Sequence, residues 1–561
     1  MKTWKTNLEE TKQRYINWWN HKGIILSMWE HFQEGVKPHA DIAPPAPARD
    51  LSQKWFDPQW RAEYLDWYVA HSSLMADMLP VANTQLGPGS LAAILGGVFE
   101  GGEDTIWIHP DPNFNDEIVF NPEHPNWLLH KELLKACKAK ANGNYFVGMP
   151  DLMEGLDVLA ALKGTDMVLL DTVMQPEVLE QQMQQINDIY FKVFDELYDI
   201  IREGDEMAFC YFSSWAPGKM SKLQSDISTM ISQDDYRRFV QPFIREQCQK
   251  IDYTLYHLDG VGAMHHLPAL LEIEELNAIQ WTPGVGEPQG GSPKWYDLYK
   301  KILAGGKSVM ACWVTLEELK PLLDHIGADG VHLEMDFHNE REVEQAMRII
   351  EEYTGSSSSV SADVHTNQPV GEQDNAQESI RIREEKSQEE DRLKPLYDAI
   401  VAGKLEPAVE VTKDAIAAGV LPQDIINGYM ITAMGEVGQR FQDGKAFVPQ
   451  LLMAGRAMKG ALELLKPLLA GNASATIGKI VIGTVKGDLH DIGKNLVASM
   501  LEGCGFEVIN IGIDVTCDKF VEAVKENKAD ILCMSALLTT TMTYMQDVIR
   551  ALEEAGIRDQ V

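Results

Sequence analysis

The sequence predicts an α/β chain with three folded parts: an N-terminal (β/α)8 barrel, a four-helix bundle, and a C-terminal flavodoxin- or Rossmann-like parallel sheet that reads as truncated. Three observations predict this. Strand-length apolar runs alternate with helical stretches across residues 1–353, residues 354–391 lose nearly all apolar content, and the alternation resumes at Lys479 after a purely helical stretch. A chain of 561 residues exceeds one hydrophobic core and divides into roughly two to four domains.

In the first part, YFVGMPD, MVLLDTV, EMAFCYF, IDYTLYHLDG, AIQWTPG, SVMACWV and GVHLEMD read as strands, with further candidates at GIILSMW and LAAILGG. Roughly seven to nine such units suit a (β/α)8 barrel, whose chemistry gathers at the C-terminal strand ends. The polar residues follow that rule. His257 and Asp259 stand two apart on one strand, so both project to the same side just before Gly260. Cys312 lies late in its strand, as do His332 and Glu334 in the last one.

Converging His, Asp, Cys and Glu are what a metal or acid–base site requires. Two arrangements stay open. In one, His257, Asp259 and a third ligand from Cys312 or Glu334 hold zinc; in the other, His257 with Glu334 positions or protonates a substrate without a metal. His265 and His266 follow in a loop and helix, where they suit a rim or packing role. Tryptophans 18, 19, 29, 55, 60, 67, 107 and 127 crowd the N-terminal quarter, suited to core packing or to caging a methylated cation.

Residues 354–391 cannot bury enough surface to offset ordering and read as a flexible linker. Residues 392–472 divide into four helical segments punctuated by Gly403, by Gly419 with Pro422, and by Gly444. In the third, Ile426, Met430, Met434, Val437 and Phe441 recur at steps of three and four, which makes one face apolar. Residues 473–561 form the last part. There KIVIGTV, a helix over 491–503, FEVINIGI, a helix over 517–527, DILCMSAL and a helix over 541–554 alternate. Strands joined by crossover helices pair in parallel and carry ligands at their carboxyl ends. The turn GDLHDIG, with His490 between Asp488 and Asp491, stands at the first of those ends.

A net charge of −35 argues against nucleic acid or anionic membrane as a partner, because binding phosphates needs a concentrated basic surface. No apolar stretch of about 18 residues appears, and the start lacks a secretory cleavage pattern. Seven cysteines without a CxxC fit buried thiols in a reducing compartment, so a cytoplasmic location is expected.

The run GDLHDIG has the form D-x-H-x-x-G. It is followed by INIGIDV and SALLTTTM at the next strand ends and preceded by MGEVGQRFQDGKAFVPQLLMAGRAM. Together these resemble the cobalamin-binding module of methionine synthase and corrinoid methyltransferase proteins, over residues 392–561. The resemblance implies that His490 ligates cobalt in place of the cofactor's own lower base. Asp488 would hydrogen-bond the other imidazole nitrogen and tune electron donation to the metal. It further implies that Gly493 completes the motif and that Ser535 and Leu537 line the nucleotide-tail pocket. Thr541 stands where the third relay residue is normally serine, and Phe441 caps the upper face of the corrin. That module has five strands with a glycine-rich fourth. The chain ends at EEAGIRDQV after three, so a fragment of a longer protein is expected, because a half-sheet exposes an edge and an apolar face.

The first part resembles the uroporphyrinogen decarboxylase superfamily, especially its methyltransferase branch, on ISQDDYRRFVQPFIREQ before YHLDG and on strand order. Arg14, Arg49 and Arg61 are isolated, unlike that superfamily's porphyrin-binding arginine segment, so decarboxylation is disfavoured. The branch's zinc motif H-x-C is here H-x-D, His257-Leu258-Asp259. The combined resemblance implies a fused corrinoid-dependent methyltransferase. It would move a methyl group from a small O-, N-, S- or halo-methyl substrate to a cobalt corrinoid on the same chain, then to an acceptor such as tetrahydrofolate or a thiol. An acceptor methyltransferase and a corrinoid reductive activase are the implied partners, and a homodimer is left open. Two other readings remain: a corrinoid carrier or sensor with a non-catalytic barrel, and a decarboxylase-like lyase with an appended cobalamin module.

Overall fold

The computed structural model describes residues 3–102, 105–110, 114–153, 155–284, 286–354, 386–469, 478–488, 492–503, 506–536 and 539–561. The chain forms two units, Met1–Ser358 and Ser359–Val561.

In the first unit the short apolar and β-branched runs become strands β1 (Ile24–Ser27), β2 (Val81–Ala82), β3 (Val98–Gly101), β4 (Ile106–His109), β5 (Phe146–Met149), β6 (Met207–Phe209), β7 (Trp215–Ala216), β8 (Met220–Leu223), β9 (Tyr253–Asp259), β10 (Ala278–Thr282), β11 (Ser308–Val314) and β12 (Val331–Met335). Six of them form a parallel sheet in the order β1-β12-β11-β10-β9-β8, so the first strand of the unit pairs with its last. A second sheet runs β2-β5-β6-β7, parallel except for the β6–β7 pair, and β3 and β4 form an antiparallel hairpin. Most of β9 to β12 is buried.

Two expected strands are helices. MVLLDTV lies within the helix Thr165–Met174, where Val168, Leu169, Asp171 and Thr172 turn inward while Met167, Val173 and Met174 stay exposed. That is a period of 3.6, and Gly164 at φ 93° ends the preceding segment. LAAILGG contributes to the helix Ser90–Ile94, whose five residues are all buried. A fully buried short run has no alternation by which strand and helix can be told apart.

The unit buries several neutral histidines, which couples its stability to pH. Burial lowers His31 and His130 to about 4 and His332 to about 3. A histidine whose folded pKa lies below its unfolded value near 6.5 stabilises fully above pH 6.5 and loses that contribution as pH falls toward the folded value. Each of the three is therefore expected to cost about 2 kcal/mol by pH 5. Chemical denaturation of the first unit's transition at pH 7.5 and pH 5 checks this; equal midpoints would contradict it.

In the second unit, the helices Lys386–Val401, Leu405–Ala417, Ile431–Gln442 and Val448–Leu469 pack around Leu396, Ile400, Met430, Met458 and Leu465. The glycines expected to punctuate them take left-handed conformations: Gly403 (φ 67°), Gly419 (φ 80°) and Gly444 (φ 69°) follow helix ends as C′ residues. The first helix begins at Lys386, so residues 386–391, expected in the linker, are helical. Ile426, Met430, Met434 and Val437 are buried as their spacing predicts, but Phe441 is 45% exposed and leaves that apolar face for solvent. Strands β13 (Lys479–Thr484), β14 (Glu507–Asn510) and β15 (Ile531–Ser535) form a parallel sheet in the order β14-β13-β15, with the helices Ile492–Gly503, Cys517–Asn527 and Tyr544–Glu554 in the crossovers and after β15.

Candidate functional site

Two places concentrate chemistry, one in each unit. In the second, β13 is central, so ligand-bearing turns gather at its carboxyl end. The turn after it is closely held. Gly487 takes φ 82°, its N–H donates to Asp514 Oδ1 at 2.8 Å, the Asp488 N–H donates to Val485 O, and the Asp514 N–H donates to Asp488 O. These bonds bury Asp488 completely. Its Oδ2 accepts from Thr541 Oγ1 at 2.7 Å, a contact bridging 53 positions of sequence.

Ser535 ends β15 opposite Thr484, and its carbonyl accepts from the Val485 N–H. Gly493, in the first turn of its helix, is exposed, and a Cβ there would meet no atom within 4 Å. Gly428, Gly435 and Gly438 on the bundle are equally open, beside exposed Ile431 and Phe441. A buried carboxylate anchored by a hydroxyl, two positions before an imidazole, with smooth apolar surface on the adjoining bundle, is a donor set that suits a corrinoid held through a lower histidine. His490 and Leu537 lie outside the described residues.

In the first unit, a cavity of about 780 Å³ opens at the carboxyl ends of β8 and β9. Trp29, Trp55, Trp60, Tyr64 and Tyr68 form much of its wall, so three of the expected tryptophans line it while Trp18, Trp19 and Trp127 are core. Its polar floor combines Lys222, Asp151, Asp226, His257 and Asp259. The ligand atoms of Asp226, His257 and Asp259 all lie within 4.8 Å of one another.

Each member of that triad is held differently. His257 is buried, and its Nδ1 is hydrogen-bonded to Gln280 Oε1, its register partner on β10. Burial, reinforced by the Lys222 ammonium, lowers His257 to about 3, so the ring is neutral. Asp226 follows β8 in a short 3-10 turn; the Asp226 and Ile227 N–H groups donate to the buried carboxylate of Asp157 at 2.8 and 2.9 Å, and Gln224 Nε2 donates to Asp226 Oδ2 at 2.9 Å. Asp226 is exposed at the cavity; reduced hydration there first, then the Asp157 charge, raises its pKa. Burial also raises Asp259, against the opposing pull of Lys222. Lys222, with its side chain only 2% exposed, donates to Asp151 and Gln224.

Backbone strain collects at the same place. Phe212 (φ 59°) and Ser213 (φ 43°) turn the chain directly after Tyr211, whose ring lies 6.0 Å from that of His257. Trp313 (φ 54°) occupies the register shift of β11 between Ala311 and Val314.

Not every expected residue joins the triad. Cys312 is fully buried on β11, two strands from β9, where its sulfur accepts from Gln280 Nε2 at 3.0 Å, and its thiol lies near Glu334. Glu334 does not line the cavity; burial pushes it up to about 7, against the lowering effect of the Cys312 thiol. His332 bonds Ser27 Oγ at 2.6 Å and meets Trp18 edge-on, a core placement. His266 stacks on Tyr236 at 4.2 Å, also a packing role. Arg61 donates to Asn83 O and Gln85 O at the cavity wall. Sequence reasoning missed Lys222, Gln224 and Asp226. Only Lys222 lies in β8, while Gln224 and Asp226 follow it, so strand alternation carried no signal for them.

Comparison with known proteins places the second unit. Residues 478–561 match a family described as B12 binding domain, and residues 392–466 match a second family of the same description. Trimethylamine corrinoid protein 1 of Methanosarcina acetivorans is 45% identical over 166 residues, covering 29% of this chain and 77% of that protein. The dimethylamine corrinoid protein of Methanosarcina barkeri is 43% identical over 173 residues, covering 31% and 81%. A solved structure, the methanol:cobalamin methyltransferase complex MtaBC from Methanosarcina barkeri, aligns at 34% identity over 32% of this chain and 71% of that one, with a TM-score of 0.28. Among the described residues no helix is long and apolar enough to cross a membrane.

Proposed function

We propose, from the premise that this chain belongs to the corrinoid-protein family through residues 392–561, that it is a corrinoid-dependent methyltransferase carrying its own substrate unit. The observation that carries the reading is the joining of a corrinoid-binding unit to a unit with a ligand-sized cavity floored by Asp226, His257 and Asp259. The six-stranded parallel sheet and the mixed four-stranded sheet of residues 1–353 are read as arcs of one uroporphyrinogen decarboxylase-like (β/α)8 barrel. Pairing of its first strand with its last supports this, as does the gathering of polar side chains at strand C-termini. Residues 354–385 would then act as the tether, residues 386–472 as the cap and residues 473–561 as the corrinoid-binding sheet.

When bound, the corrinoid supplies a cobalt centre nucleophilic enough to accept a methyl group from O, N, S or halide. His490 would ligate the cobalt, Asp488 would hold the other imidazole nitrogen, and Thr541 holds Asp488. Ser535, Leu537 and Gly493 would border the nucleotide tail, and Phe441 the opposite corrin face. In the first unit the triad would hold a divalent cation through one imidazole and two carboxylates, which favours departure of the demethylated group by offsetting its charge. Asp226 would take the place expected of Cys312 or Glu334. Trp29, Trp60 and Tyr211 wall the donor away from water and hold its methyl group in a fixed direction.

The test uses the full chain reconstituted with cobalamin and chemically reduced without oxygen. Methanol, methylamines, methyl thiols, aryl methyl ethers and chloromethane are added in turn while the corrinoid absorption is followed. A change with one donor class is expected; no change with any of them overturns the transferase reading, and carbon dioxide release from a porphyrinogen favours the lyase. Elemental analysis should find about one equivalent of a divalent metal besides cobalt. Asp226→Asn and His257→Ala should remove it and Cys312→Ala should not; retention in all three would sink the triad as a metal site.

A further inference from the structure

We infer that Gln280 is a positioning residue that fixes the tautomer of His257. Its own orientation is set by Cys312 and Glu334, so that the imidazole turns its Nε2 lone pair to Asp226 and Asp259. The consequence for metal binding rests on the reading of that triad as a cation site; the tautomer itself does not.

Gln280 is fully buried on β10, beside His257 of β9 and next to β11, which carries Cys312. Its Nε2 lies 2.7 Å from Thr282 Oγ1 and 3.0 Å from Cys312 Sγ, while its Oε1 meets His257 Nδ1. A carboxamide is polar in one direction, with an oxygen that accepts and a nitrogen that donates twice. Turned end for end, Gln280 would instead accept from the threonine and the thiol and donate to the histidine. Cys312 breaks that symmetry. A thiol has one hydrogen, and near it stands the buried Glu334 carboxyl group, whose two oxygens have no hydrogen-bond partner among the described residues, so in its ionised form it draws that hydrogen.

A thiol that gives its hydrogen to Glu334 offers Gln280 only sulfur lone pairs. Gln280 must answer with its N–H, which leaves Oε1 for His257, and only an Nδ1–H satisfies that oxygen. A neutral imidazole with hydrogen on Nδ1 carries its lone pair on Nε2, the atom left to face the two carboxylates. Cys312 of β11, Gln280 of β10 and His257 of β9 thus form a hydrogen-bond chain across three strands, with the Glu334 carboxyl group of β12 near its thiol end.

The test measures the tautomer and the metal separately in the full chain. In metal-free protein labelled with nitrogen-15 histidine, the His257 signal, assigned by its loss in His257→Gln, should show Nδ1 protonated and Nε2 bare. The opposite pattern overturns the inference whatever happens with metal. Cobalt(II) titration, read by its visible absorption, should be about tenfold or more weaker in Gln280→Leu than in wild type, near wild type in Gln280→Glu, which retains an acceptor, and weaker in Glu334→Gln, which can reverse the chain. Wild-type affinity in both Gln280→Leu and Glu334→Gln overturns it. Glu334→Gln decides the matter if Gln280→Leu does not fold. Absence of cobalt binding in wild type counts against the cation site alone, and the histidine spectrum still decides the tautomer.

Discussion

Replacing Lys222 with methionine is expected to lower the stability of the first unit by about 3–5 kcal/mol, because it leaves a buried carboxylate without its cation. Lys222 and Asp151 both have side chains only 2% exposed, and their ion pair sits among other acids. Asp157 is held near about 6 by burial that outweighs two backbone N–H bonds and the attraction of Lys222, and Asp226 lies close enough to feel both Lys222 and Asp157. The ammonium therefore offsets more than one carboxylate, and its loss leaves like charges facing one another across the cavity floor. Urea denaturation of the full chain, followed at tryptophan fluorescence weighted to the first unit, measures the loss. Adding Asp151→Asn should recover much of it, since the uncompensated charge is then gone. A cost under about 1 kcal/mol in Lys222→Met would mean that solvent reaches the pair and screens it.

The second large effect is expected at Asp488. Replacing it with alanine should weaken corrinoid binding about 10- to 100-fold, the usual range for the outer partner of a metal-ligating histidine. His490→Ala should exceed that and remove coordination of cobalt by protein nitrogen, visible in the electron paramagnetic resonance spectrum of the Co(II) form as loss of nitrogen splitting. Thr541→Ala should weaken binding less, because a hydroxyl to a carboxylate contributes about 1.5–3 kcal/mol and water can replace it in part. Equal binding by wild type and Asp488→Ala would show that the buried carboxylate serves the turn and not the cofactor.

The two sites differ in how far the chain alone revealed them. GDLHDIG is a local device: glycine, aspartate and histidine lie within a few residues of one strand end, so their spacing already places them together. The hydrogen bond from Thr541 to Asp488 joins the turn after β13 to the helix Thr539–Met542 after β15, both on the side where parallel strands end. In the first unit, His257 and Asp259 were legible by their alternation on β9. Asp226 was not, because β8 is four residues long and carries serine and lysine where an apolar run would mark a strand. MVLLDTV misled for the opposite reason, since its apolar content is dense enough to suit either a strand or a buried helix.

The sequence by itself determined the strand–helix alternation, the helical bundle with its glycine stops, and the motif around Asp488 and His490. All of these rest on interactions within one element or one turn. Only the tertiary structure decided that Asp226 and not Cys312 joins His257 and Asp259, that Gln280 stands between that triad and Glu334, and that Phe441 faces outward. The placement of Gln280 beside His257 and Cys312 depends on register between strands, where a shift of one residue would turn a different side chain inward. Asp226 depends instead on the turn after β8, and Phe441 on how its helix packs in the bundle.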